Sequence, residues 1–153
     1  MTRTVFLYVI FITLLITGCS ASTRESPKSN LPALDGEWTI KMAHSGGIMG
    51  LSRSIEISSN GKYTVMDERA SKTITGELAT DELSKLKKQV SASKYIPASK
   101  PDGMGCADCF IYDLEIQGGG EKFNIQLNDV NLPNSGLESL VNYLRGLIET
   151  TLK

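Results

Sequence analysis

Short segments in which apolar and polar residues alternate are the feature that most constrains the fold of this chain. Trp38, Ile40 and Met42 are separated by single polar residues, and a similar pattern returns near residues 51, 63, 110 and 123. Successive side chains of a β-strand point to opposite faces of the sheet, so this alternation predicts strands that are buried on one face only. The sequence therefore predicts a sheet with one covered face and one exposed face.

Turn signals and helical periodicity set the order of the remaining elements. Residues 72–78 are a further predicted strand, and Asn60-Gly61 is typical of a tight hairpin turn because both residues tolerate positive φ. Apolar residues at helical spacing predict two helices, the first capped by Thr80 and the second by a capping box at Ser135 and Glu138. The prediction is an α+β domain with ββββ-α-ββ-α order, in which two helices pack on one face of an antiparallel sheet.

The length and charge of the chain limit its functions. About 120 residues, 35–153, remain for the folded part, which is enough for one domain. Residues 1–18 contain a single charged side chain, Arg3, so the rest of the chain carries 15 basic and 17 acidic residues. Nucleic-acid binding needs clustered Lys and Arg, and the nearest approach to a cluster lies on the outer face of a predicted helix, at Lys85, Lys87 and Lys88. The sequence predicts no nucleic-acid partner.

Residue types that commonly carry catalysis are sparse. His44 is the single histidine, and the chain has no H-E-x-x-H, G-x-S-x-G or phosphate-loop motif. We therefore expect a binding module rather than an enzyme, with no catalytic residue and no cofactor. His44 stands beside a glycine-rich loop and is interpreted as a surface residue.

The first 18 residues have the composition of a secretory signal peptide. Arg3 provides a positive start, and residues 5–16 form an apolar run that is shorter than the roughly 20 residues needed to span a membrane. We expect residues 1–18 to be an export signal that is removed and takes no part in the fold.

Residues 16–19, Ile-Thr-Gly-Cys, resemble the lipobox of bacterial lipoproteins. The resemblance implies that the thiol of Cys19 carries diacylglycerol, that cleavage occurs before Cys19, and that the new amine carries a further acyl chain such as palmitate. Two or more chains anchor a protein stably, because each buried methylene contributes about 0.8 kcal/mol. The alternative is an ordinary secretory signal in which Cys19 has no special role.

The lipobox resemblance also implies a location. Residues 19–34 are rich in Ser, Pro and charge, and are expected to form a flexible tether without a core of its own. The expected location is the cell membrane, with lipid on Cys19 as the membrane contact. In a host with an outer membrane, Ser20 after the cysteine implies that the protein is sent there.

Two short motifs precede predicted strands. Residues 45–51 read Ser-Gly-Gly-Ile-Met-Gly-Leu, and residues 108–114 read Asp-Cys-Phe-Ile-Tyr-Asp-Leu. These motifs and the order of the elements, over about residues 37–149, resemble the emfourin family of inhibitors of thermolysin-like metallopeptidases. The resemblance implies a peptidase partner and an inhibitory loop formed by Ser45, Gly46, Gly47, Ile48, Met49, Gly50 and Leu51.

The loop of residues 45–51 has two interpretations. If it inhibits a peptidase, we expect it to be exposed and to fill a substrate cleft, with its backbone pairing as a substrate strand would. Gly46, Gly47 and Gly50 would then allow close approach of the backbone. In the structural interpretation, the glycines only permit the turn. The alternative function is an envelope lipoprotein that binds another ligand or has a structural role.

Cys106 and Cys109 remain in the domain once Cys19 carries lipid. Outside the cytoplasm such a pair is expected to be oxidised, and a local disulfide that stiffens the loop is the favoured interpretation. A redox-active pair is an alternative, but a strand and not a helix N-terminus follows it. A zinc site with His44 would need a fourth ligand, and no metal site is predicted. Asp108 either accepts backbone hydrogen bonds within the loop or is an exposed contact residue.

Overall fold

The computed structural model describes residues 30–97 and 106–153. These residues form six strands and two α-helices, and the α+β class predicted from the sequence is confirmed. In chain order the elements are β1 (Trp38–Gly46), β2 (Leu51–Ser58), β3 (Lys62–Asp67), β4 (Lys72–Glu77), α1 (Thr80–Ala92), β5 (Phe110–Gly118), β6 (Glu121–Asn128), a 3₁₀ turn (Leu132–Asn134) and α2 (Glu138–Leu152).

The strands form one antiparallel sheet in the order β4-β3-β2-β1-β5-β6. The order across the sheet differs from the order along the chain, because β5 pairs with β1 and not with β4. Strand β1 therefore lies in the interior of the sheet, and Gly46 at its end faces Leu51 of β2 and Phe110 of β5. This pairing brings together two segments that are far apart in the sequence.

One face of the sheet packs with the helices into a single apolar core. Along β1, every second side chain from Trp38 is buried, as the alternation predicts. Leu86 of α1 and Leu144 of α2 are fully buried in the same core. The opposite face carries cross-strand ion pairs between exposed or half-buried side chains, at Lys41–Glu56 (3.1 Å) and Lys122–Glu115 (3.0 Å).

Helix α1 begins at Thr80, so the prediction that Thr80 is its cap is wrong by one position. The cap residue is Ala79, whose backbone N–H donates to the Glu82 carboxylate at 2.9 Å. Asp81 and Glu82 lie in the first turn, where the helix dipole favours negative charge.

The predicted capping box of α2 is not formed. The Ser135 hydroxyl donates to the carbonyl of Leu132 at 2.7 Å within the 3₁₀ turn, and its oxygen accepts from the backbone N–H of Leu137 at 3.1 Å, ahead of the first helical residue. Helix α2 begins later, at Glu138, with Leu137 as its cap residue. Gly136, at φ +73°, separates the two helical segments and turns the chain between them.

The predicted signal peptide, residues 1–18, and the lipid attachment at Cys19 lie outside the described residues. The end of the predicted tether is described from Asn30, which pairs with Lys94 in an isolated bridge. Leu34 is buried in the core, so contacts with the domain begin ahead of residue 35. Within residues 30–97 and 106–153, no helix has the length and apolar composition needed to cross a membrane.

Candidate binding site at the hairpin end of the sheet

Four connecting segments meet at one end of the sheet, which we call the hairpin end. They are the β1–β2 loop, the β3–β4 turn, the segment before β5 and the segment after β6. The strand registers that bring them together pair Gly46 with Phe110, Ile111 with Asn128, and Arg53 with Asp67. The loop of residues 45–51 and the cysteine pair, which are more than 50 residues apart in the sequence, therefore lie side by side.

The β1–β2 loop ends in a tight turn that displays two apolar side chains. The backbone N–H of Gly50 donates to the carbonyl of Gly47 at 2.9 Å, which closes the turn around Ile48 and Met49. Ile48 is 87% exposed and Met49 is 77% exposed. A closed turn is not extended backbone, so residues 47–50 do not have the form of a substrate strand. The accessible part of the turn is the pair of side chains Ile48 and Met49, which we call the tip.

The loop glycines adopt backbone conformations that other residues rarely adopt, with φ of 93° at Gly46, 68° at Gly47 and 59° at Gly50. A Cβ atom on Gly46 would lie 2.5 Å from the carbonyl oxygen of Cys109, and one on Gly47 would lie 2.6 Å from the ring of Phe110. Gly50 is open by comparison, since a Cβ atom there would meet only a side-chain atom at 4.0 Å. Glycine is thus needed at positions 46 and 47 for two reasons. It adopts the positive φ of the turn, and it lets Cys109 and Phe110 approach the backbone closely.

The disulfide-bonded segment supports the tip. Cys106 and Cys109 are joined by a disulfide, with their Cα atoms 5.3 Å apart. The carbonyl of Cys109 accepts a hydrogen bond from the backbone N–H of Gly47 at 3.1 Å. Asp108, between the cysteines, is exposed. The disulfide ring therefore touches the turn that carries the exposed apolar residues.

His44 is buried beneath this loop, so its interpretation as a surface residue is wrong. Its side chain is 4% exposed and stacks on Tyr112, with ring centroids 5.0 Å apart. The ring of Phe110 meets it edge-on at 4.9 Å. Both ring nitrogens are buried without a hydrogen-bond partner in the described part of the chain. The alternation that begins at Trp38 continues to position 44, and this signal could have placed His44 on the covered face.

The surroundings of His44 disfavour its charged form. Burial is the main cause that lowers its pKa from the ordinary value of 6.5, and the positive charge of Arg145 is the next. Arg53 acts in the same direction, whereas Glu149 and Asp129 oppose it. We therefore treat His44 as neutral at pH 7.

Asp129 connects the segment after β6 to the start of β5. One of its carboxylate oxygens accepts a hydrogen bond from the backbone N–H of Phe110 at 2.8 Å, and the other accepts from the Tyr112 hydroxyl at 2.9 Å. Arg145 of α2 donates to the same hydroxyl at 3.3 Å. Burial and the hydrogen bond to Asp129 raise the pKa of Tyr112. These bonds hold Phe110 in place, and the Phe110 ring in turn covers Gly47. No sequence signal singled out Asp129.

A further ion pair orders the β3–β4 turn. The Arg53 guanidinium donates to Asp67 at 2.8 Å, and the other Asp67 oxygen accepts from the backbone N–H of Ala70 at 3.0 Å. The N–H of Ala70 and the guanidinium of Arg53 lower the pKa of Asp67. Because both carboxylate oxygens of Asp67 accept hydrogen bonds within the fold, we interpret Asp67 as a structural residue.

The arrangement is suited to binding. Asp67 and Asp129 use their oxygens to order loops, His44 is enclosed by aromatic rings, and both cysteines of the domain are in the disulfide. A zinc site with His44 is therefore not formed, and residues 30–97 and 106–153 contain no group of three His, Cys, Asp or Glu side chains placed to hold a metal ion. The accessible feature of the site is apolar surface on a supported turn.

No protein-family model matches this chain, and no curated protein matches it either.

Proposed function

We propose that this protein is a lipid-anchored binding module of the bacterial cell envelope, and that it inhibits a thermolysin-like metallopeptidase through its hairpin end. The observation that carries the proposal is the exposure of Ile48 and Met49 on a turn that is held by Cys109 and Phe110. Apolar side chains on a rigid support lose little conformational freedom on binding, which favours tight association.

The form of the tip suggests how it would inhibit. Its two apolar side chains would enter the substrate cleft and block the binding of other peptides. The peptide bond between Ile48 and Met49 lies inside a turn closed by Gly47 and Gly50, and not in the extended form of a peptide that adds as a strand. The tip would therefore occupy the cleft without presenting a bond in a form suited to cleavage.

The resemblance to emfourin supports the same class of target. Its two motifs, residues 45–51 and residues 108–114, are neighbours in the fold because Gly46 faces Phe110. We also propose the finer arrangement of the fold, in which the elements follow the order ββββ-α-ββ-α and both helices pack on one face of the sheet.

The test is inhibition of thermolysin and a panel of related zinc peptidases by the full-length chain in detergent. Ile48→Asp and Met49→Asp are compared with Ile96→Asp, since Ile96 is also an exposed apolar residue, at 57%. We expect each tip variant to weaken inhibition about 100-fold, and the Ile96 variant to match the wild type. Gly47 is unsuitable for this test because any side chain there collides with Phe110.

Folded wild-type protein that inhibits no member of the panel would overturn the peptidase proposal. The alternative, an envelope lipoprotein with another ligand, would then stand in its place. Far-ultraviolet circular dichroism and thermal unfolding of every variant would establish that the compared proteins are folded.

The lipid anchor is a separate part of the proposal, supported by the likeness of residues 16–19 to a lipobox. In cells given labelled fatty acid, we expect label on the wild type and on Cys106→Ser/Cys109→Ser, and none on Cys19→Ala. The Cys19 variant is also expected to keep its signal segment and a larger mass. Recovery of Cys19→Ala in the membrane fraction at the processed mass of the wild type would refute the anchor.

A further inference from the structure

We infer that the binding surface at the hairpin end spans two loops, with Val130 as a second apolar contact for the same target. This inference rests on the proposed function and extends it, since the predicted inhibitory loop comprises residues 45–51 and does not include Val130. It specifies a target whose cleft is apolar where the tip enters and also apolar on the rim beside β6.

Exposed large apolar side chains are concentrated at this end of the fold. In the described part of the chain they are Ile48, Met49, Met66, Ile96 and Val130. Ile48 and Met49 form the tip, and Val130 lies two residues after β6 at the same end. Met66 is the next-to-last residue of β3 and pairs with Ser54 of β2, so it lies within the sheet and not on the tip. Scattered exposed apolar residues are ordinary, but several at one end of a domain mark an interaction surface.

Ile96 is the member of this set that lies elsewhere. Its backbone N–H donates to the carbonyl of Ser135 at 2.8 Å, just ahead of α2. Helix α2 then runs 15 residues, about 22 Å, to Leu152, whose carbonyl accepts from Lys72 at the hairpin end. Ile96 therefore offers the same chemistry at a distant place, which makes it a matched control.

Val130 is held outward by a rigid turn. The side-chain oxygen of Asn128 accepts from the backbone N–H of Val130 at 2.9 Å and from that of Asn131 at 3.0 Å. The N–H of Asn128 donates in return to the Asn131 side chain at 2.7 Å. Turns of this kind favour Gly, Asn, Asp and Ser, so a β-branched residue brings no advantage to the turn itself. At 64% exposure, Val130 also gains little from burial within the domain.

The β1–β2 loop and the turn after β6 lie close together and are connected through Asp129 and Phe110. Strands β1 and β6 are separated only by β5, so their ends lie about 10 Å apart across the sheet. Asp129, the neighbour of Val130, accepts the backbone N–H of Phe110, and the Phe110 ring covers Gly47. A target that seats the tip between its walls would therefore meet Val130 with one rim, in a fixed position relative to the tip.

The test measures inhibition constants of the full-length chain against a peptidase that the wild type inhibits. The variants are Val130→Ala, Val130→Asp, Ile48→Asp and the control Ile96→Asp. Val130→Asp is expected to weaken inhibition about 10-fold and Val130→Ala about 3-fold, with thermal unfolding unchanged. Val130→Ala guards against a charge effect, because Asp129 lies beside the substituted residue.

The possible outcomes distinguish the two-loop surface from the proposed function on which it rests. If Ile48→Asp abolishes inhibition while both Val130 variants behave like the Ile96 control, the two-loop surface is wrong and the proposed function stands. If the wild type inhibits no peptidase of the panel, both the two-loop surface and the proposed inhibition are refuted. Loss in the Val130 variants, with the Ile96 control unaffected, supports the two-loop surface.

Discussion

The backbone N–H of Gly47 lies 3.1 Å from the carbonyl oxygen of Cys109, and this hydrogen bond joins the exposed turn to the disulfide-bonded segment. Cys109 immediately precedes β5, so the direction of its carbonyl depends on two constraints. One is the pairing of β5 with β1, and the other is the disulfide to Cys106. A loop that is remote in sequence thus helps to set the conformation of the tip.

Opening the disulfide is expected to loosen the tip more than the fold. Replacement by Cys106→Ser/Cys109→Ser should lower the free energy of unfolding by about 2 kcal/mol or less, because the closed ring is short. Amide hydrogen exchange at Gly47 should accelerate, since its acceptor becomes less constrained. Inhibition should weaken several-fold through the entropy needed to reorder the tip.

The double serine variant is preferable to chemical reduction, because dithiols also bind the zinc of the target peptidase. Exchange at Gly61, whose N–H bonds to Ser58 in the distant β2–β3 turn, is the internal control. Equal exchange at Gly47 in the two proteins would show that the disulfide does not order the tip.

The two glycines at the ends of the turn should respond differently to the same substitution. Gly47→Ala and Gly50→Ala both force a positive φ, which costs about 1–2 kcal/mol. Gly47→Ala additionally places a methyl group against the Phe110 ring, so we expect a further loss of about 1–3 kcal/mol. Denaturant unfolding of both variants measures the difference. In a Phe110→Ala background, the excess cost at position 47 should disappear, and persistence of that excess would mean that the ring is not its cause.

Stability should fall as the pH drops through the range in which histidine titrates. Burial lowers the pKa of His44 in the folded state, so below about pH 6.5 the unfolded chain takes up a proton that the folded chain does not. One such proton costs at most about 1.4 kcal/mol per pH unit. Unfolding in urea at pH 7.0, 6.0 and 5.0 measures this dependence.

The matched variant is His44→Phe, which keeps an aromatic ring and cannot titrate. Its stability should be independent of pH between 7 and 5, and at pH 7 it should equal or exceed that of the wild type, since no unpaired nitrogen remains buried. The contribution of Asp67, whose pKa is lowered, is lost only in more acid solution, below its ordinary value of 3.8. An identical pH dependence in wild type and His44→Phe would exclude His44 as its source.

Removal of the Asp129 carboxylate should disturb both loops at once. Asp129→Ala leaves the Phe110 amide and the Tyr112 hydroxyl without this acceptor, and we expect a loss of about 1–2 kcal/mol in the free energy of unfolding. Asp129→Asn retains one acceptor oxygen and should lose less. Chemical shifts of the Gly47 and Val130 amides should move in the alanine variant. If only Val130 moves, the link through Phe110 to the tip is refuted.

Much of the fold follows from local patterns. The alternation in β1 and β5 predicts strands with one covered face, and the turn at Asn60 and Gly61 places the β2–β3 hairpin correctly, with Gly61 at φ +84°. Helix starts were less predictable. Ser135 has the spacing of a capping residue, but its hydroxyl donates to Leu132 because a 3₁₀ turn over residues 132–134 precedes the helix.

The composition of the site was harder to predict, because it depends on contacts that cross the sheet. Nothing in the local sequence requires β5 to lie against β1, yet that pairing alone brings Cys109 to Gly47. Asp129 acquires its role only through donors on β5. The burial of His44 could have been predicted, because position 44 continues the alternation of β1 on the covered face. The polarity of the side chain favoured the surface interpretation instead.

The direction of β1 has a mechanical consequence. The chain enters β1 at Trp38 and reaches the turn after Gly46, so nine residues separate the tether side from the tip by about 30 Å. With lipid holding one end and a captured peptidase the other, tension would run along this strand. The load would be carried by the covalent backbone of β1, and the hydrogen bonds to β2 and β5 would carry little of it. If the proposed anchor and target are correct, one continuous strand would connect them, and force between them would not need to pass through the rest of the sheet.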